Sequence, residues 1–307
     1  MTQEVHMELK KVAIPADLLL EQERLEKRAL FKNRFMKISL LLVNRLLAVV
    51  TLFPLIYAVT MSLKTPGEIY TTDFQLLPAV PQFSNYQAAF NTAPLGRFIW
   101  NSFLVASCIT IGQLISGSLA AFSFEFLDSK FKEVIFALVL ATMMVPGEAT
   151  IVSNYLQVAR WGWLDSYHVL IIPYLTSAST IFLFRQFYKS FPFTLYEAAK
   201  IDGCSNIRFV FTILLPLSKP ALGATAVNAF INAWNMYMWP LMVSGSDNYR
   251  TVQIGVSMMQ SVDSQSIVMM FAGVVFCLLP SLLIFLIGRK TLVRVSSQVQ
   301  LKVNRKS

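Results

Sequence analysis

The residues whose type and spacing could handle a small polar molecule lie in one apolar stretch, "ILLPLSKPALGATAVNAFINAWN", residues 213–235. Thr225, Asn228, Asn232 and Asn235 recur there at offsets of 0, 3, 7 and 10, which is one face of an α-helix. Asn amides donate to and accept from hydroxyl groups, and the nearby Trp234, Tyr237 or Trp239 could stack on the apolar face of a sugar ring. This is chemistry suited to the wall of a solute path. The same stripe would also serve interhelical hydrogen bonding to another subunit, because Asn within a membrane needs protein or water as its partner.

A second group, Glu197, Ala198, Ala199, Asp202 and Gly203, lies in the segment "SFPFTLYEAAKIDGCSNIRFVFTILLPLSKP". Thr194 with Glu197 has the spacing of a capping box, in which each side chain satisfies a backbone donor at a helix start. Ala198, Ala199 and Lys200 continue the helix, Gly203 suits the left-handed residue that closes it, and Ser205 suits the cap of the next. A short helix-turn-helix elbow is expected. Glu197 can offer its carboxylate to a docking partner or spend it on its own helix start.

Other chemistry lacks its residues. His6 and His168 form no triad or metal cluster, even with Asp165 close to the latter. Cys108, Cys204 and Cys277 show no paired spacing for zinc or a disulfide framework. No GxxxxGK[ST] loop is present to cradle a nucleotide phosphate, so no ATP site and no metal or other cofactor is expected in this chain.

The elements that must position these groups are membrane helices. Of 307 residues, 55% are hydrophobic and only 14% charged, against about 25% charged in soluble domains. Crossing the hydrocarbon layer takes about 20 apolar residues, and six stretches qualify: 38–62, 98–124, 133–156, 167–188, 213–236 and 266–288. The expected fold is an all-α polytopic membrane protein. Residues 1–37 are expected to be a cytoplasmic amphipathic segment, 38–290 the membrane domain and 291–307 a cytoplasmic tail. A cleaved signal peptide is not expected, since charges run throughout the first 37 residues.

Charge distribution gives the orientation. With both termini inside, 21 of the 26 Lys and Arg residues are cytoplasmic; Lys64, Arg97, Arg160 and Arg250 fall outside and Arg45 within the first span. The net charge of +9 then needs no nucleic-acid partner. Arg24, Lys27, Arg28, Lys32, Arg34 and Lys37 would face lipid headgroups, as topology signal or anchor. Arg185 and Glu148 are expected at the membrane interface. Pro54, Pro146, Pro173, Pro220 and Pro280 are expected to kink or interrupt spans. Asn101, Ser102, Thr110 and Gln113 in span two, and Ser177, Ser179 and Thr180 in span four, lack comparable periodicity.

The elbow segment resembles the permease subunits of binding-protein-dependent ABC importers, whose signature reads EAA, three residues, Gly, nine residues, Ile, one residue, Leu-Pro. Glu197, Ala198, Ala199, Gly203, Ile213, Leu215 and Pro216 match it at every spacing. The likeness covers about residues 38–290 and looks closest to the maltose-type carbohydrate group, with "APLGRFIWNS", "SASTIFLFRQFY" and "WNMYMWPLM" in its style. There it resembles the second permease subunits of maltose and glycerol-phosphate importers.

The resemblance implies a type I importer permease fold in a bacterial cytoplasmic membrane. It implies that the elbow is a coupling helix, with Glu197, Ala198, Ala199, Asp202 and Gly203 as contacts to a separate ATPase subunit. The implied partners are a second homologous permease, two ATPase subunits binding ATP and Mg, and an extracytoplasmic solute-binding protein. A sugar or oligosaccharide is the implied solute, with glycerol phosphate or a polyol as alternative. A phosphate would favour a pathway-facing Arg or Lys, and none lies deep in the spans, which prefers a neutral solute. A self-sufficient secondary transporter is disfavoured by the lack of an internal repeat and of buried coupling-ion carboxylates.

Overall fold

The computed structural model describes residues 16–69, 71, 75–259 and 264–303; the side chains of Arg24, Lys27, Arg28 and Lys32 lie outside the described residues. The chain divides into one unit ending at Tyr57 and a second beginning at Ala58. The first is helical from Ala16, where α1 (Ala16–Ser62) starts and runs unbroken past the expected boundary at 37, carrying Pro54 inside it. Its described side chains from Arg34 to Phe53 are mostly exposed and apolar, as suits a helix solvated by lipid.

The second unit is helical among its described residues. Its long elements are α4 (Leu95–Phe126), α5 (Lys132–Thr142), α6 (Gly147–Arg160), α8 (Ala178–Tyr188), α12 (Lys219–Trp234) and α15 (Ser264–Val303). Shorter ones are α2 (Pro66–Ile69), α3 (Ser84–Thr92), α7 (Tyr167–Ile171), α9 (Phe193–Ile201), α10 (Asn206–Phe209), α11 (Leu215–Leu217), α13 (Met238–Val243) and α14 (Val252–Met258). By length and apolarity Arg34–Ser62, Leu95–Phe126, Tyr167–Tyr188 and Ile267–Leu286 can each cross a membrane. Two bent pairs, α5 with α6 and α10–α11 with α12, bring the spans to six if each pair is one crossing.

Pro146 and Pro220, expected to kink or interrupt spans, lie at or beside those bends. Between α5 and α6 the axis turns by 94°. Pro146 causes this break: its ring fixes φ at −60°, its ψ of 132° is extended, and it has no N–H with which to continue α5. The 89° turn before α12 falls at Ser218, which is fully buried. There the Ser218 N–H donates to the carbonyls of both Leu214 and Leu215 at 3.0 Å, and its Oγ donates to Leu214 O at 2.7 Å. Pro216 and Pro220 flank the turn, each at a helix start where its missing donor costs little. Residues 213–217, expected inside span five, thus lie before its bend.

α4 is the central post. Its Gly117 lets α8 approach so closely that a Cβ there would lie 2.5 Å from Thr180 Cγ2, and one at Gly112 would lie 2.4 Å from Leu175 Cδ2. Small residues at such crossings compensate for the weak hydrophobic drive between helices in lipid. Polar groups add bonds across the same contact. Gln113 Nε2 donates to Tyr174 O at 2.9 Å, Ser116 Oγ to Leu175 O at 2.8 Å and Thr180 Oγ1 to Gln113 Oε1 at 3.3 Å. These residues brace the bundle.

At the start of α4, Asn101 donates to the carbonyls of Asn248 and Arg250 and accepts from Tyr167 Oη, while Ser102 Oγ accepts from Val252 N. Asp165 sits alongside in the left-handed region at φ 54°, with its N–H on Val243 O and its Oδ1 accepting from Ser246 N. The bond donated by the Ser246 backbone N–H holds the Asp165 carboxyl below its ordinary value. Described residues of the segment 63–94 are held by similar means. Glu68 accepts from the N–H groups of Thr65 and Ala79, which lowers its carboxyl likewise, and Asn85 donates to the carbonyls of Ser62 and Lys64.

Gly117→Val should therefore overpack the α4–α8 crossing and lower stability by about 1–3 kcal/mol. Gly147→Ala, where a Cβ meets nothing within 4 Å, should leave it unchanged. Thermal unfolding of the detergent-solubilised protein checks the pair.

Candidate functional site

The elbow forms where the sequence placed it, with one change at its start. α9 begins at Phe193 after Pro192, whose extended ψ of 136° makes it the N-cap without a side-chain bond. Thr194 is consequently inside the helix, and the Thr194–Glu197 capping box is not formed. Its physical reason is the preceding proline, whose φ of −68° already suits the helix entry.

The close of α9 is a Schellman turn. Cys204 N donates to Ala199 O at 2.9 Å and Gly203 N to Lys200 O at 3.0 Å, with Gly203 at φ +73°. Ser205 then caps α10, its Oγ accepting from Arg208 N. Tyr196 Oη donates to Asn206 Oδ1 at 2.8 Å and holds the two arms together.

One side of the elbow is seated on the bundle. Tyr196, Ala199, Phe209, Val210 and Leu214 pack with Phe122 and Phe126 of α4 and Phe184 and Tyr188 of α8 in one buried aromatic cluster. Tyr188 is fixed further by a 2.8 Å hydrogen bond between its hydroxyl and that of Ser118. Glu197, Ala198, Asp202 and Gly203 lie on the exposed side. Ala199 does not: it is 7% exposed and faces the aromatic cluster, so its smallness serves the seat.

Sequence reasoning missed two residues on the exposed side. Ile201 is 86% exposed and Ile207 68%, an apolar pair flanking the Schellman turn. An Ile one place before an acidic helix end breaks the polar pattern of a solvated turn, and that was the available signal. Phe193, half exposed, adds a third apolar group at the start of α9. The exposed side thus offers one carboxylate pair, Glu197 and Asp202, interleaved with apolar side chains.

Along α12 the polar stripe divides. Asn228 and Asn232 are exposed and make no side-chain hydrogen bond among the described residues, and Asn235 accepts from Gln253 Nε2 at 3.3 Å. Thr225 is buried. Trp234 is buried as well, donating from Nε1 to Cys277 O at 3.1 Å, and Trp239 donates to Val169 O at 2.9 Å from an equally buried position. Neither ring offers a face to a solute in this chain; of the three aromatic residues considered, Tyr237 is exposed. The seven-residue step from Asn228 to Asn235 keeps the three amides on one side of the helix.

Arg185, expected toward the membrane interface, is buried within the chain at 3% exposure. It pairs with Glu125 and Glu133 and lies over the Phe136 ring. Glu148 is exposed in the first turn of α6. No group of three or more His, Cys, Asp or Glu able to hold a metal occurs among the described residues.

Residues 113–293 match the family described as the binding-protein-dependent transport system inner membrane component. The chain is 34% identical over 251 residues to the sn-glycerol-3-phosphate transport system permease protein UgpE of Pectobacterium atrosepticum, covering 79% of this chain and 89% of the relative. The chain belongs to this family. It is therefore a permease component of an ABC importer, which is a transport protein. A further relative is the arabinooligosaccharides transport system permease protein AraQ of Bacillus subtilis, 33% identical over 257 residues, 83% of this chain and 92% of the relative. The fold matches a chain of a bacterial ABC transporter involved in the import of the acidic polysaccharide alginate, with a TM-score of 0.74 at 20% identity over 84% of this chain and 97% of that one.

The two alanines of the EAA triplet thus have different roles. Ala199→Leu should overpack the aromatic seat and lower the yield of folded permease, whereas Ala198→Leu should leave folding intact. Size-exclusion profiles of the two purified variants check this.

Proposed function

We propose that this chain forms half of the translocation path of an ATP-driven importer for a sugar or oligosaccharide, working by alternating access. In this reading it sits in a bacterial cytoplasmic membrane with both termini inside, since that places most of its Lys and Arg on one side. Its partners are a second homologous permease, two ATPase subunits that bind ATP and Mg, an extracytoplasmic solute-binding protein and membrane lipid. It takes no nucleic acid and carries no cofactor of its own.

The carrying observation for the solute is the exposed amide pair Asn228 and Asn232 on α12. Residues 220–236 include no Lys or Arg, so this face offers hydrogen bonds without a cation. Neutral hydroxyl groups suit such a wall, whereas a phosphate calls for charged donors. The permease names of relatives support both an oligosaccharide and glycerol phosphate, which is the second reading. Thr225, Trp234 and Asn235 act in this reading by shaping α12, with Asn228 and Asn232 meeting solute or water.

The exposed side of the elbow is the coupling surface. Glu197, Ala198, Asp202 and Gly203 are its contacts, Ala199 holds it from behind, and Ile201 and Ile207 supply the apolar part that a groove on an ATPase subunit would bury.

Two substitutions in the assembled complex test the two halves of the proposal. Glu197→Lys should abolish solute uptake while ATP hydrolysis persists uncoupled; unchanged uptake at normal expression would remove the docking role. Asn232→Leu should raise the solute concentration needed for half-maximal uptake by about tenfold, the loss of one or two hydrogen bonds. Identical kinetics for sugars and glycerol phosphate alike would count against a pathway role. The solute that stimulates ATPase activity through the binding protein decides between the readings.

A further inference from the structure

Arg185 is a buried cation that neither the elbow nor the amide face uses. It stands on α8, one turn before Tyr188, and only residues 189–192 separate α8 from the coupling elbow. Two carboxylates share it. Its Nη2 donates to Glu133 Oε1 at the start of α5, and its Nε faces Glu125 Oε2 near the end of α4 at 3.6 Å. The guanidinium carbon lies 4.0 Å from the Phe136 ring centroid and 5.9 Å from that of Phe124, so both rings guide its plane. Such a cation–π seat favours the charged guanidinium where water is excluded.

The arrangement is unequal. The Glu133 bond is direct, but Nε is buried without a hydrogen-bond partner, and 3.6 Å is beyond hydrogen-bond reach. A buried unpaired donor is unfavourable, and a shift of roughly 0.7 Å would close the bond to Glu125. On the other side, the Glu133 side chain is 67% exposed, so water can replace its half of the pair. The guanidinium therefore has one bonded acceptor and a second within a short shift, with an incentive toward each.

Helix α5 has little else to hold it. Phe136 is its one buried side chain, and Phe136 is itself the ring under Arg185. We propose that Arg185 is a two-position clamp, a positioning residue whose guanidinium exchanges between Glu133 on α5 and Glu125 on α4. The exchange sets where the first half of span three stands relative to the helix that leads into the elbow. When Glu133 is engaged, α5 moves with α8; when Glu125 is engaged, α5 is released while α8 stays tied to α4. The transport consequence rests on the importer reading, but the geometry belongs to this chain alone.

The two carboxylates make the test, because a static brace and an exchanging clamp predict different signs. In the complex purified from the protein's own host, spin labels on Val134→Cys of α5 and Gln186→Cys of α8, with Cys108 and Cys204 replaced by Ser, report the α5–α8 distance. Glu133→Gln should shift the population toward a longer distance by roughly tenfold, the effect of losing one charged hydrogen bond. Glu125→Gln should shift it toward the shorter distance, and the two should move the maximal solute-stimulated ATPase rate in opposite directions. Shifts of the same sign, or none, would overturn the clamp. Both substitutions keep side-chain size at partly exposed positions, so assembly is retained where Arg185→Met would put it at risk. An unaltered complex without solute-stimulated ATPase activity would refute the importer reading, and the distance measurement would still decide the clamp.

Discussion

The packing of Tyr196 and Phe209 onto Phe122 and Phe126 is the contact on which the rest of the elbow depends. An isolated nine-residue helix is unstable in water, since nucleation costs more than so few hydrogen bonds return. Here the helix persists because its aromatic side is buried: Tyr196 and Phe209 stand 5.2 Å apart edge to face, and each lies within 6.0 Å of Phe122 and Phe126. Once that side is committed, helical geometry turns Glu197, Ala198, Ile201 and Asp202 outward. The Schellman turn at Gly203 then reverses the chain without leaving backbone groups unpaired. The buried side thereby ties the elbow through packed rings to α4 and α8.

α4 extends that logic across the membrane. At one end it carries the aromatic seat, at the other the Asn101 and Ser102 bonds to the segment 248–252, and between them the glycine crossing with α8. Three interaction types thus fix a single helix against its neighbours. The bent pairs contrast with it: Pro146 and Ser218 end helices at points where the backbone must turn, leaving α5 and α6 with Phe136 and Val158 as their buried side chains. A rigid post beside loosely held, broken spans is an arrangement in which part of the bundle can move while the remainder keeps its register.

How much of this was legible in the sequence depended on whether the cause was local. The spans, the left-handed Gly203 and the Ser205 cap were legible because apolar length, a missing Cβ and a short hydroxyl act within a few residues. The capping box at Thr194 failed because Pro192 supplied a competing helix start two residues earlier. The right-angle turns were not legible, since Pro146 and Ser218 were readable as punctuation but their angles are set by tertiary packing. The burial of Arg185 was not legible for the same reason: its partners lie 52 and 60 positions away in the chain, on two other helices. The same distance hid the burial of Ala199, Trp234 and Trp239, whose neighbours come from other elements.

That burial changes what α12 and the segment after it can offer. Trp234 and Trp239 spend both ring and N–H inside the chain, so neither presents a ring face outward, whereas Tyr237 is exposed. Asn228 and Asn232 are the opposite case, with amides directed outward on a helix whose surroundings are apolar. An amide exposed to hydrocarbon costs several kcal/mol, roughly 4–8 on a scale where nothing can bond to it. Two such groups on one side of α12 are stable only against water or another polar surface. The face that carries them is therefore not a lipid face, and a single chain of this shape is complete only when something hydrated or hydrogen-bonding stands opposite α12.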